Sequence, residues 1–247
     1  MMSILLSGLV VFITHTLEAV TGFGCAVLAM PFVTALLGIR MGVMVITVLA
    51  WILALYFAVV KFREIDWKQY FIITGFMLLG LPIGMYLFRS IDSSNLKMIL
   101  ATFILVVSTH QLYKLGRNIE TKPPIRTKTR AVLPYYLMLT LGGIVHGIFS
   151  SGGPLVVLYA SRQLQDKGKF RATLCLLWVT LNTIIIATYL FEGSFTAPIA
   201  KTTALLVPFV IAGIFAGEKI HDKVNERTFS LIVFGMLFLT AIFMLIF

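Results

Sequence analysis

"HGIFSSGGPLVVLYA", residues 146–160, interrupts an apolar run at 150–154 with two serines, two glycines and a proline. The flanks are oily enough for a helix that crosses a core or a membrane, yet glycine and proline weaken the hydrogen-bond ladder such a helix needs. Backbone that leaves the helix at membrane depth is tolerated only where protein buries it or a wet cavity receives it. The stretch therefore predicts a break that serves a purpose, and the rest of the chain shows which.

Of the 247 residues, 59% are hydrophobic and only 12% charged, and the mean hydropathy is +0.99. Soluble domains carry about a quarter charged residues, so a water-facing surface cannot be built from this inventory. Apolar runs of membrane-spanning length recur at 4–20, 43–60, 70–88, 96–113, 133–149, 172–191, 202–217 and 229–247, with a shorter one at 25–38. The fold expected is an all-α polytopic membrane protein in the lipid bilayer, multi-pass in the cell (inner) membrane. The formal charge of +10 does not signal nucleic acid, because the Lys and Arg residues sit in short connections between apolar runs. No basic residue precedes Arg40, so the first apolar segment is expected to be retained rather than cleaved as a signal. Cys25 and Cys175 lie inside apolar segments and offer no disulfide framework.

A polar stretch at 114–130 divides the chain almost evenly. Sliding the sequence by 131 residues places His15 on His146, Gly22 on Gly153, Arg40 on Arg171 and Val48 on Val179. With a further gap of two, "GLPIG" (80–84) meets "GIFAG" (213–217). The organisation expected is a first half at 1–114, a cytoplasmic linker at 115–131 and a second half at 132–247. Each half reads as a broken helix pair followed by three transmembrane helices, eight to ten membrane segments in all. If each pair makes an even number of crossings, sixteen of the twenty Lys and Arg residues fall on the linker's side and four on the other. A single crossing in place of the second pair would carry the basic 162–171 connection outward, against the positive-inside rule. Paired helices therefore predict two inverted-topology halves with both termini outside.

Inverted repeats with broken helices are how secondary transporters build substrate sites near the bilayer midplane. The second interruption, at "THTLEAVTGFG" (14–24), corresponds to the first one quoted. A helix restarting after each break presents N–H groups without intrahelical partners and the positive end of its dipole. Pro154 suits such a start. Two starts entering from opposite faces make a site for an anion. The candidate substrate contacts are Thr21, Gly22, Gly24, Ser150, Ser151, Gly152, Gly153, His146 and Asn182. The serines either only cap the next helix or also touch ligand. The glycines serve either ligand approach or close helix packing. Ionisable groups within a bilayer are costly, which makes His15 and Glu18 candidates for proton coupling, with a structural tie to a carbonyl as the other reading of each histidine. Asn182 is equally readable as a polar tie between helices. Arg171 reads as a topology anchor, and Arg40 as the same or as an attractor of anions at the outer mouth.

The runs "GFGCAVLAMPFVTALLGIRMGV" (22–43) and "GGIVHGIFSSGGPLVVLY" (142–159), with the later "GLPIG" and "GIFAG", resemble the sulfite exporter TauE/SafE family of membrane permeases. The resemblance runs through essentially the whole chain, although Phe23 and Cys25 interrupt a first break that is glycine-richer in the family. It implies a permease that moves sulfite, sulfonates or related anions, with neither metal nor organic cofactor. On this reading the partners are a small anionic substrate, the bilayer and protons as coupling ion, with no nucleic acid; a homodimer is compatible with the sequence. Two other functions compete. An intramembrane serine hydrolase could use His146 and Ser150, four residues apart on one helix face, but the first break has no serines at the corresponding positions. An anion channel would differ by lacking saturable exchange.

Overall fold

A computed structural model describes residues 2–21, 24–117, 132–220 and 226–246. The linker proposed at 115–131 therefore lies largely outside the described residues. All regular structure described is helical, in the order α1 Met2–Thr21, α2 Cys25–Leu37, α3 Ile39–Val60, α4 Trp67–Ser90, α5 Ser93–Gly116, α6 Leu133–Phe149, α7 Gly153–Gln163, α8 Lys167–Phe191, α9 Ala197–Ile220 and α10 Glu226–Ile246. Six of these are long and apolar enough to cross a membrane: α1, α3, α4, α5, α8 and α9. Aspartates at loop positions start three of them. Asp66 accepts from the Gln69 amide at 3.0 Å, Asp92 from Ser94 and Asn95 at 3.1 Å, and Asp166 from Lys169 at 2.8 Å. Each satisfies an orphan donor of a first turn. The bonds Asp92 accepts, chiefly from the Asn95 amide, hold its carboxyl below its ordinary value.

Contacts between loops assign the helix directions. At one end of the bundle the Asp66 amide donates to Thr173 at the start of α8, and the Tyr56 hydroxyl near the end of α3 donates to Glu218 at the end of α9. At the other end Arg40 donates to the carbonyls of Phe88 and Ile91 at 3.1 and 2.8 Å, and Arg89 pairs with Glu192. So α4 and α9 run in opposite directions. The connections at 61–68 and 162–171 share one end, as the paired arrangement requires and the single-crossing arrangement does not.

Glycines set the two closest helix approaches. A Cβ at Gly143 would meet the Met77 backbone, one at Gly80 the backbone of Thr140 and Ile144, and one at Gly84 that of Ile144 and Gly147. Helices α4 and α6 thus lie backbone to backbone and run the same way. Gly213 and Gly217 do the same for α9 against Phe12, Thr16 and Ala19 of α1. Small residues are the means by which membrane helices, lacking a hydrophobic drive toward each other, gain packing. Each broken pair is therefore seated on a helix of the other half, and α1 and α6 enter the bundle from opposite ends. Helices α3 and α8 pack against each other at its centre.

Each broken pair folds back as a hairpin. Val10 and Phe32 border one groove with Thr14 and Leu28, and Tyr136 lies beside Tyr159. By rise per residue α2 is about 20 Å long and α7 about 16 Å, less than the roughly 30 Å hydrocarbon core. These arms return only part of the way. Helix α1 stays regular to Thr21 and α6 to Phe149, where the apolar run at 133–149 ends, so both helices persist into the interruptions that open at Thr14 and His146. Asp and Gly signals mark such ends poorly when the interrupting residues are Thr and Ser, which a helix tolerates.

Candidate functional site

The two breaks converge. They border a single cavity of about 20 Å³ together with the middle turns of α3 and α8. Gly24, Cys25, Ala26 and Val27 come from the start of α2, and Glu18 from the last turn of α1. Ser150, Ser151 and Gly153 come from the second break, with His146 one turn before it. Ala50 on α3 and Trp178 and Asn182 on α8 complete the lining.

At the first break Gly24 adopts φ 107°, a left-handed turn that glycine enters without strain. It leaves the N-cap of α2 with no side chain, so the first amide needs another acceptor. Glu18, 3% exposed, supplies it: Oε2 accepts the Cys25 N–H at 2.6 Å. A carboxylate on a first-turn amide is also favoured by the helix dipole. The nearby guanidinium of Arg171 donates to the Ala19 carbonyl at 2.9 Å and lies over the Phe57 ring at 4.6 Å. It caps one carbonyl near the end of α1, a role beyond the loop anchor its place in the sequence suggests.

At the second break Ser150 takes φ 51°, the one non-glycine left-handed residue among those described. Its amide closes α6 onto the His146 carbonyl at 2.6 Å. Its hydroxyl lies 2.6 Å from that of Thr47, which donates to the Val43 carbonyl at 2.7 Å. With its own proton committed, Thr47 can only accept, so Ser150 donates to it. Helix α7 begins at Gly153 with no side-chain cap, so neither serine serves merely to cap it. Ser151 is 2% exposed and its hydroxyl has no partner. It is a free donor at the cavity wall, where a buried polar group is ordinarily satisfied.

His146 is held on three sides. Its Nδ1 accepts the Gly152 amide at 3.5 Å, its Nε2–H donates to Asn182 at 3.0 Å, and its ring stacks on Trp178. These bonds fix the neutral tautomer with the proton on Nε2. With both nitrogens engaged and the Ser150 proton on Thr47, no serine–histidine nucleophile is assembled. Asn182→Leu is expected to leave the His146 N–H buried without an acceptor, at a cost of about 1–3 kcal/mol, measurable as a lower melting temperature of the detergent-solubilised protein.

Of the sequence candidates, the cavity thus gathers Glu18, Gly24, His146, Ser150, Ser151, Gly153 and Asn182, with Gly152 tied to its rim through His146. His15 stands elsewhere. Its Nδ1 bonds the Val11 carbonyl at 2.9 Å and its Cβ faces Gly213 of α9, while its Nε2 is buried without a hydrogen bond. Thr21 is the last residue of α1, and Gly22 lies outside the described residues. Thr47, Ala50, Trp178 and the start of α2 were not candidates. Trp178 was within reach of the sequence, since it precedes Asn182 by four residues and shares its helix face. Among the described residues no cluster of His, Cys, Asp and Glu could hold a metal ion.

Residues 7–244 match the family model described as "Sulfite exporter TauE/SafE". A curated relative from Cupriavidus necator, described as "Probable sulfite/organosulfonate exporter TauE", is 23% identical over 223 residues, covering 89% of this chain and 85% of that protein. No solved structure matches the chain.

Proposed function

The chain belongs to the sulfite exporter TauE/SafE family, a family of membrane transporters rather than enzymes, and from that premise we propose that it carries a small sulfur-containing or organic anion, such as sulfite or a sulfonate, by alternating access around the cavity between the two breaks. The observation that carries this reading is the convergence of two helix starts on one buried space whose wall holds the unpartnered Ser151 hydroxyl. Amides at helix starts and a free hydroxyl are donors for oxyanion oxygens, and among the described lining residues there is no fixed cation that would hold an anion too tightly to release. The relative's printed description supports the choice of anion class.

A cavity of about 20 Å³ admits about one water and is too small for a multi-oxygen anion. The conformation described is therefore closed, and loading requires the hairpins to part. The basic end of the bundle is assigned to the cytoplasm, which puts both termini outside and makes the halves at 1–114 and 132–247 inverted relative to each other. The compartment is the cell (inner) membrane. An inside-negative potential favours outward movement of an anion by about 2.3 kcal/mol per charge per 100 mV, so export needs little further drive. Glu18 and His15 are the groups proposed to handle protons if coupling occurs.

The test is flux into proteoliposomes over sulfite, sulfonates and small carboxylates, with pH gradient and potential set independently. One of these anions should move above empty liposomes with saturable exchange of label; none moving under any gradient ends the proposal, and unsaturable flux makes the protein a channel. Ser151→Ala should raise the half-saturating concentration. A hydrogen bond to a charged group is worth about 1.5–3 kcal/mol, which corresponds to roughly ten- to a hundredfold.

A further inference from the structure

Glu18 does to the Cys25 amide what a bound anion would do. Its carboxylate reaches across the break, seven residues back in sequence, and accepts at 2.6 Å the first N–H of α2. That amide is the donor an incoming oxyanion would need most, because it stands where the dipole end and the cavity coincide. On the opposite wall Ser151 offers a buried hydroxyl with no acceptor. The seat is thus half filled by the protein itself and half vacant, and the space remaining is about 20 Å³.

Two charges cannot share it. Like charges in contact at a buried site repel strongly, and among the described lining residues no cation offsets that. Resting on the transporter reading above, we infer that the Glu18 carboxylate and the sulfonate-type substrate occupy the Cys25 amide in turn, so that each anion bound places one proton on Glu18. When the anion arrives, the Cys25 N–H and the Ser151 O–H donate to its oxygens. Glu18 swings off and takes one proton from the buffered solution, and on release of the anion it returns that proton to the solution and goes back to the amide.

Few titratable or charged groups surround Glu18. On α2 the neighbour is Cys25 and on α8 Cys175, both buried thiols. His146 of α6 has both ring nitrogens engaged, and His15 on α1 bonds Val11 through Nδ1 and faces α9, its unbonded Nε2 outside the cavity lining. Arg171 of α8, a permanent cation, donates to the Ala19 carbonyl, and Glu218 of α9 is engaged by Tyr56. A carboxylate that only capped α2 would explain the bond to Cys25 but not the free hydroxyl across from it.

The experiment uses the full chain in detergent and ethanesulfonate, whose own charge does not change over the neutral and alkaline range. Binding by the parent protein should weaken about tenfold per pH unit wherever Glu18 is ionised in the empty site, and level off below that range. Calorimetry in buffers of different ionisation enthalpy should report uptake of one proton per anion. Infrared difference spectra should gain the carbonyl band of a protonated carboxylic acid on binding. In Glu18→Gln, which preserves shape and can still accept from Cys25, affinity should become independent of pH, tighter than the parent at alkaline pH, and the band should be missing. Binding without proton uptake, or an unchanged pH slope in Glu18→Gln, overturns the shared seat while leaving the transporter intact. If the variant does not fold, the infrared band and proton count of the parent decide alone. Ethanesulfonate failing to bind while the flux screen moves another anion overturns the sulfonate seat; no anion binding or moving at all removes the transporter reading beneath it.

Discussion

Gly143→Ala is expected to cost the protein its fold, with little folded material recovered by size-exclusion chromatography. The substitution should help a helix in isolation, since alanine is favoured over glycine by about 1 kcal/mol. Here the added methyl would lie on the carbonyl of Met77 with the backbone of α4 behind it, and backbone cannot turn aside as a side chain can. Overpacking costs about 1–3 kcal/mol where neighbours yield, and more where they do not, so the clash outweighs the propensity. Gly75→Ala is the control on the same interface partner, α4. A methyl there meets nothing within 4 Å, and the melting temperature should hold or rise. Equal behaviour of the two variants would contradict the close approach of α4 and α6.

Ala50→Leu is expected to stop anion flux with the bundle still folded. Ala50 is buried at the middle of α3 and lines the cavity between the breaks. Three more carbon atoms fill a space that already holds about one water, and the strain, about 1–3 kcal/mol, falls on hairpin arms that must move in any case. Flux should drop at least about a hundredfold, equivalent to about 2.7 kcal/mol. Folded yield near that of the parent separates this from a general loss of structure. Parent-like flux would place the pathway elsewhere.

Much of this was legible in the sequence because the signals were local. Length and composition mark the apolar runs, although the run at 133–149 forms a helix shorter than a span, and the positions of Lys and Arg separate paired from single crossings. The breaks were marked by residues whose backbone preferences are intrinsic, Gly24, Gly152, Gly153 and Pro154. What stayed hidden was tertiary. Nothing in an apolar run distinguishes Thr47, whose hydroxyl turns back on Val43, from any other threonine satisfying itself within a helix, yet it is the partner that takes the Ser150 proton. Glu18 stood out for its charge, but its bond to Cys25 depends on how sharply the chain reverses at Gly24. His15 and His146 align by repeat and still part company in space. The second meets Asn182 and Trp178 of α8, while the first has the smooth face of α9 beside it. An alignment of halves transfers the path of the backbone more faithfully than the company each side chain keeps.

The crossed seating of the hairpins, α6 on α4 and α1 on α9, works as a pair of levers with exchanged fulcrums. Each arm is clasped by a helix from across the divide. Under the alternating access proposed above, tipping one half would drag the opposite tip with it, so that a mouth widening on one side of the bilayer would narrow its counterpart without a separate gate.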